Sequence, residues 1–426
     1  MSSGLVVTTR EIDPVEDLLA YADPTTPIAW LRRGDGIVAV GAGVARVLRV
    51  SAGTAGERAA ELAAQWRTLS EGARVDDPLR IPGTGLVGFG ALVFDGRSAR
   101  DSVILVPEAV IGRHAGRTWL TRITDADAPD APDADGAADA PSPREYGPHW
   151  SATLGPGAQG PQGYQDSVRR AVSEIVGGRY QKAVLARDLI GTIPAGSDVR
   201  RLVRALATGY PDTWTYAVDG MIGASPETLV TVHERTVTAR VLAGTIGRGA
   251  DADADTAASA HLASSTKDLD EHAYAVQSVL ASLRPHTRAL AASDQPFMLK
   301  LPNLFHLATD VEGELSDGGS ALDLVGALHP TAAVAGTPTD LAMDAIRRLE
   351  PFDRGRYAGP VGWIDGDGDG EWAIALRCAQ IDESDAHAGT IPITAYAGAG
   401  IVAGSDPETE LLETRVKFRP IVDALA

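Results

Sequence analysis

The chain has 426 residues, 44% apolar and 22% charged, a composition that can bury a large core and excludes an intrinsically disordered protein. A net charge of −19 without any basic cluster argues against a nucleic-acid partner, which would need a positive surface. Cys378 is the single cysteine, so no intrachain disulfide can form and a reducing compartment is expected.

In chain order, residues 37–50, 86–94, 101–106 and 117–121 are short, Val-rich and Gly-punctuated, which predicts a β-rich N-terminal part over residues 1–123. The stretch 36–50 is interrupted by Arg46 and too short to span a bilayer, and the first ten residues lack a signal-peptide pattern. A cytoplasmic protein with no membrane partner is the expectation. Gly83, Gly85 and Gly88 fit G-x-G-x-x-G, but a strand follows where a dinucleotide site needs a helix, so that reading is rejected.

Residues 124–148 are rich in Asp, Ala and Pro and predict an exposed loop, the first place a protease should cut. Beyond it, helices are predicted over 164–176, 199–207, 267–283, 339–349 and 408–425, and strands over 183–189, 214–218 and 229–232. Asp251, Asp253 and Asp255 read as a solvated loop. A hairpin is predicted from 357–365 and 371–380 around a Gly-rich turn. In that turn Asp365, Asp367, Asp369 and Gly370 imitate a calcium loop, yet the twelfth position, which needs a bidentate Glu, is Leu376. Gly398 and Gly400 precede a helix and could bring backbone N–H groups close to an anion. Strands and helices alternate irregularly, so a mixed α/β (α+β) fold with largely antiparallel sheets is expected. No heptad or exposed apolar stripe stands out, and a monomer is the default.

Two predicted helices carry acids three residues apart. Asp268 and Glu271 share one face while Leu269, Ala273, Val276 and Leu280 line another, with Ser265 as the expected cap. Glu410 and Glu413 share a face in the helix that Pro407 and a Ser405–Glu408 capping box should open. Together the pairs could supply a magnesium site, because Mg²⁺ takes one or two carboxylates, several waters and an anionic substrate.

Longer motifs follow one another from residue 223 onward: Gly223-Ala224-Ser225-Pro226-Glu227, Leu242-Ala243-Gly244-Thr245, Glu271-His272, His306-Leu307, Leu328-His329-Pro330-Thr331, Arg354-Gly355-Arg356-Tyr357-Ala358-Gly359-Pro360-Val361-Gly362-Trp363, Ala375-Leu376-Arg377, Ala397-Gly398-Ala399-Gly400-Ile401-Val402 and Ser405-Asp406-Pro407-Glu408. In this order and spacing residues 164–425 resemble the chorismate-utilising family of isochorismate, salicylate, anthranilate and aminodeoxychorismate synthases. The resemblance implies one large domain over residues 1–426, its sheets sandwiched between helices, with chorismate as the small-molecule substrate and Mg²⁺ as cofactor. It implies Glu271 and Glu413 as direct metal ligands, with Asp268 and Glu410 holding the metal's waters. It further implies that Arg377 and Tyr357 grip the enolpyruvyl carboxylate, while Gly244, Thr245, His306, Ala333, Gly398, Gly400 and Lys417 line the rest of the pocket.

Family members differ in the nucleophile they deliver. Lys182 resembles the lysine of the water-using members, which implies Lys182 as base and Glu227 as acid in an isochorismate-forming reaction feeding menaquinone or siderophore synthesis. Ala243 stands where aminodeoxychorismate synthases carry a nucleophilic lysine. Neither an amidotransferase domain nor a Leu-Leu-Glu-Ser signature is found in these 426 residues, so neither an anthranilate synthase nor a glutamine amidotransferase partner is expected. Salicylate synthase stays open as the alternative: Ala333 matches isochorismate synthases, whereas Tyr357 is usual in salicylate synthases.

Overall fold

The short apolar segments pair into two large sheets, and the computed structural model describes residues 4–126, 141–301, 304–316 and 318–426. Among the described residues one sheet has thirteen strands and the other ten. The centre of the larger sheet runs Lys182–Pro194, Thr390–Ile401, Cys378–Ile381, Met221–Ser225, Trp214–Val218 and Ala29–Arg32. The smaller sheet runs Leu304–Leu315, Thr236–Gly247, Thr228–His233, Gly370–Ile374, Pro360–Asp365 and Val87–Ala91 through its middle. Named strands pair antiparallel, apart from Leu5–Glu11 with Arg74–Asp76. Strands of the first 123 residues are built into both sheets, since Ala29–Arg32 pairs with Trp214–Val218 and Val87–Ala91 with Pro360–Asp365. The N-terminal part therefore belongs to the same mixed α+β domain.

Eight helices cover the sheets among the described residues: α1 (Ala55–Glu71), α2 (Pro161–Val176), α3 (Arg200–Gly209), α4 (Ala252–Ser264), α5 (Thr266–Leu283), α6 (Ala321–Leu328), α7 (Thr339–Leu349) and α8 (Pro407–Ala424). Helices α2, α3, α7 and α8 pack on the larger sheet and α1, α5 and α6 on the smaller. No helix is long and apolar enough to cross a membrane among the described residues.

Several sequence expectations need correction. The N-terminal part is β-rich as expected but also holds the unexpected helix α1: Thr54 and Glu57 form a capping box, and Ala59, Leu62, Ala63 and Trp66 recur at helical spacing on its buried face. Asp251, Asp253 and Asp255 are not a loop. Asp251 caps α4 by accepting from the Ala254 N–H at 2.9 Å, and Asp255 pairs with Arg248. The cap of α8 is Asp406, which accepts from Thr409 N–H at 2.9 Å, while Ser405 Oγ accepts from Val402 N–H, so the expected Ser405–Glu408 box does not form. Of the expected 124–148 loop, Thr124 and Asp125 end a strand and residues 127–140 lie outside the described residues. Residues 141–148 lack regular structure but are tied down, with the Tyr146 hydroxyl donating to Asp17 and Gly147 N–H to Asp198, each at 2.8 Å.

The largest difference lies in the predicted hairpin. Its second arm is continuous in sequence but divides in space: Gly370–Ile374 belongs to the smaller sheet and Cys378–Ile381 to the larger. Its neighbour divides at the same level, with Met221–Ser225 in the larger sheet and Thr228–His233 in the smaller. The two chains cross between sheets side by side, joined by Ala224 N–H to Arg377 C=O at 3.2 Å and Ile374 N–H to Glu227 C=O at 3.1 Å. Glu227 and Arg377 sit at this double crossover, where side chains that would face a core are turned into the gap between diverging sheets.

Candidate active site

That gap is a cavity of about 330 Å³, within the range of small-molecule sites. Lys182 and Val184 enter it from one strand of the larger sheet and Tyr396, Ala397, Gly398 and Gly400 from the next. Residues 242–246 and His306 enter from the smaller sheet, Asp268 and Glu271 from the first turns of α5, and Glu410, Glu413 and Lys417 from α8. Glu227, Ala333, Tyr357 and Arg377 complete the wall. All fifteen side chains and glycines singled out from the sequence thus line one cavity, although they are spread over 236 positions (417 − 182 + 1).

The glycines on the Thr390–Ile401 strand do not precede the helix directly; they lie within the strand, opposite Val184 and Ala186. Their visible contribution is room. A Cβ on Gly400 would lie 2.9 Å from Lys182 Cε and 3.3 Å from Glu271 Oε1, and one on Gly398 would lie 3.0 Å from the Tyr357 hydroxyl. Side chains from three elements can therefore cross this strand.

Charges are arranged in two groups. Lys182 Nζ donates to Glu271 Oε1 at 2.5 Å, and Lys417 Nζ donates to Glu413 Oε1 at 2.6 Å and to Gly398 C=O at 2.9 Å. Arg377 is buried at a backbone φ of +50°, an uncommon conformation for a side-chain-bearing residue that the crossover holds in place. Its Nη2 lies 3.4 Å from His306 Nε2, and His306 Nδ1 lies 2.9 Å from Thr245 Oγ1. Burial, then the charges of Arg377 and Lys417, hold His306 well below the usual histidine range, so its ring is neutral and Nε2 accepts from the guanidinium. Burial also pushes the Tyr357 phenol up, leaving a protonated donor stacked 5.1 Å from Tyr396. Glu227 stands apart from the other acids. Burial raises its pKa to about 7 against the pull of Arg377, Lys182 and Lys417, so near neutrality it can hold a proton.

No group of three or more His, Cys, Asp or Glu side chains converges as a ready metal cage among the described residues. The donor set nevertheless suits magnesium, which asks the protein for only one or two carboxylates and keeps several waters. Glu271 and Glu413 face the cavity from different helices, with Asp268 and Glu410 one turn earlier on the same helices. Sequence reasoning missed His261, Leu262, Tyr396 and Thr409. The first two lie on α4, whose Asp251 cap followed by an Ala-rich run was the available signal.

A cleft lined by a buried arginine, a tyrosine hydroxyl, an acid that keeps its proton and two carboxylate-bearing helix turns has the make-up of an enzyme site for a small molecule. The family model described as chorismate binding enzyme matches residues 2–426, and the chain belongs to that family. It is 42% identical over 277 residues to the isochorismate synthase DhbC of Bacillus subtilis, covering 62% of this chain and 68% of that protein. It is 36% identical over 357 residues to the MenF protein of Mycobacterium tuberculosis strain H37Rv, covering 80% of this chain and 87% of that one. The crystal structure of the DhbC protein of Bacillus anthracis superposes with a TM-score of 0.75 at 31% identity, covering 96% of this chain and 98% of that chain.

Proposed function

We propose that this protein is an isochorismate synthase, converting chorismate to isochorismate with Mg²⁺ as cofactor. The observation that carries the reading is that Lys182 and a proton-holding Glu227 line the same cavity as Arg377. Arg377 and the Tyr357 hydroxyl bind the enolpyruvyl carboxylate, and neutral His306 fixes the guanidinium from behind.

Water attacks ring carbon C2 and gives its proton to Lys182; the diene electrons shift, the C4–O bond breaks, and Glu227 protonates the departing hydroxyl, which leaves as water. One water enters and one departs, so no redox partner is needed. Lys182 Nζ must give up its bond to Glu271 before it can face that water. Glu271 and Glu413 would hold the magnesium directly, with Asp268 and Glu410 through its waters; bound there, the ion withdraws electron density from the ring carboxylate and orients the ring. Ala243 and Ala333 add no nucleophile or base to the wall, which supports an isomerase that stops at isochorismate.

Because substrate and product differ only in which ring carbon bears the hydroxyl, the equilibrium should be freely reversible. Incubation with chorismate and Mg²⁺ should give isochorismate at a fixed ratio to chorismate by chromatography, approached from either side. Salicylate and pyruvate as main products at neutral pH would overturn the proposal in favour of a salicylate synthase.

A further inference from the structure

The strand Thr236–Gly247 does not run straight past the cavity. Its pairing with Leu304–Leu315 slips between Ala243 and Thr245: Ala243 opposes Leu307 and Thr245 opposes His306, leaving Gly244 as the extra residue at φ +79°. This is a β-bulge of the kind that requires glycine, and it aims Thr245 at the ring of His306. A Cβ at Gly244 would lie 3.2 Å from both Asp268 Cβ and Leu307 Cδ1, so the bulge is pressed against the first turn of α5.

One side chain ties the bulge to that helix. His272 is 2% exposed, and its Nδ1 lies 3.2 Å from the Ala243 carbonyl while Nε2 lies 2.7 Å from Thr309 Oγ1. A carbonyl can only accept, so Nδ1 carries the proton and donates it. Thr309 is itself buried on the partner strand, so the ring is fixed from both ends. A continuous line of contacts then runs from α5 through His272, Ala243, Gly244, Thr245 and His306 to Arg377.

We propose that His272 is a positioning residue for this site: it fixes the Gly244 bulge on α5 and thereby sets the His306–Arg377 pair that receives the substrate carboxylate. The inference rests on the isochorismate synthase reading for its substrate, but the bulge geometry stands without it. Loosening the bulge should displace Arg377's support and weaken carboxylate binding, a change in KM more than in kcat.

Two near-isosteres separate this role from simple packing. His272→Asn places an amide N–H near the Nδ1 position and keeps the bond to Ala243; His272→Gln places one near Nε2 and keeps only Thr309. Steady-state kinetics with chorismate should show KM raised about fivefold in His272→Gln and within about twofold of wild type in His272→Asn, since one hydrogen bond is worth roughly 1 kcal/mol. Amide hydrogen exchange at residues 243–246 should quicken in His272→Gln alone. Equal KM values, or equal exchange in the two variants, would overturn the positioning role. If wild-type protein left chorismate unchanged, the functional reading would fall, and the exchange comparison would still decide the role of His272.

Discussion

Replacing Glu227 with Gln should lower kcat by about 10²–10⁴-fold, the usual worth of a general acid, with KM little changed. Gln keeps the size of the side chain but cannot give a proton to the departing hydroxyl. The buried carboxyl holds its proton up to about pH 7, so wild-type turnover should fall as pH rises through that value. Stability separates lost chemistry from lost folding. Glu227 keeps its proton to about 7 when folded, against 4.5 as the ordinary value, so the folded form binds the extra proton between these values and stability declines as pH climbs through them. The Gln variant escapes that decline and should melt no lower than wild type at pH 8. Near-normal turnover in a folded variant would remove Glu227 from the mechanism.

Replacing Arg354 with Met should instead cost about 3–5 kcal/mol of folding stability, the usual penalty for orphaning a buried charge. The Arg354 and Glu350 side chains are 3% and 2% exposed and joined at 2.5 Å. Glu350 also accepts from Ala186 N–H at 2.7 Å, and Arg354 donates to the carbonyls of Val184 at 2.7 Å and Val334 at 3.2 Å. The pair therefore braces the Lys182 strand against the segment that carries Ala333. Without the arginine, Glu350 is buried beside a methionine. Removing both charges in Arg354→Met with Glu350→Met should recover part of the loss, because a buried pair replaced by apolar groups is often near neutral. Denaturant unfolding tests both, and a single variant within about 1 kcal/mol of wild type would contradict the account.

The site was more legible than the fold around it. Lys182, Glu227, Glu271, Arg377 and Glu413 were readable because the motifs around them resemble those of a known family, acid spacing alone having pointed only to the two helix pairs, and all line the cavity. The crossover that aims Glu227 and Arg377 was not. A chain leaving one sheet for another keeps its apolar alternation, so residues 371–380 read as one strand, and pairing partners 138–159 positions away reveal the break at 375–377. Helices α1 and α4 were overlooked for a different reason: Ala supplies little apolar contrast, so their evidence lay in the caps Thr54 and Asp251 rather than in periodicity. The Gly244 bulge was hidden as well, since a register slip depends on the opposing strand.

The central claim is that water, activated at Lys182, supplies the new hydroxyl. Turnover of chorismate in ¹⁸O-labelled water, followed by mass spectrometry of the isochorismate formed, tests it most directly. One labelled oxygen should appear at C2 in each molecule of product from the first turnovers. Isochorismate that carries only unlabelled oxygen would mean the hydroxyl migrates within the substrate, and would contradict the assignment of Lys182 and Glu227 as base and acid.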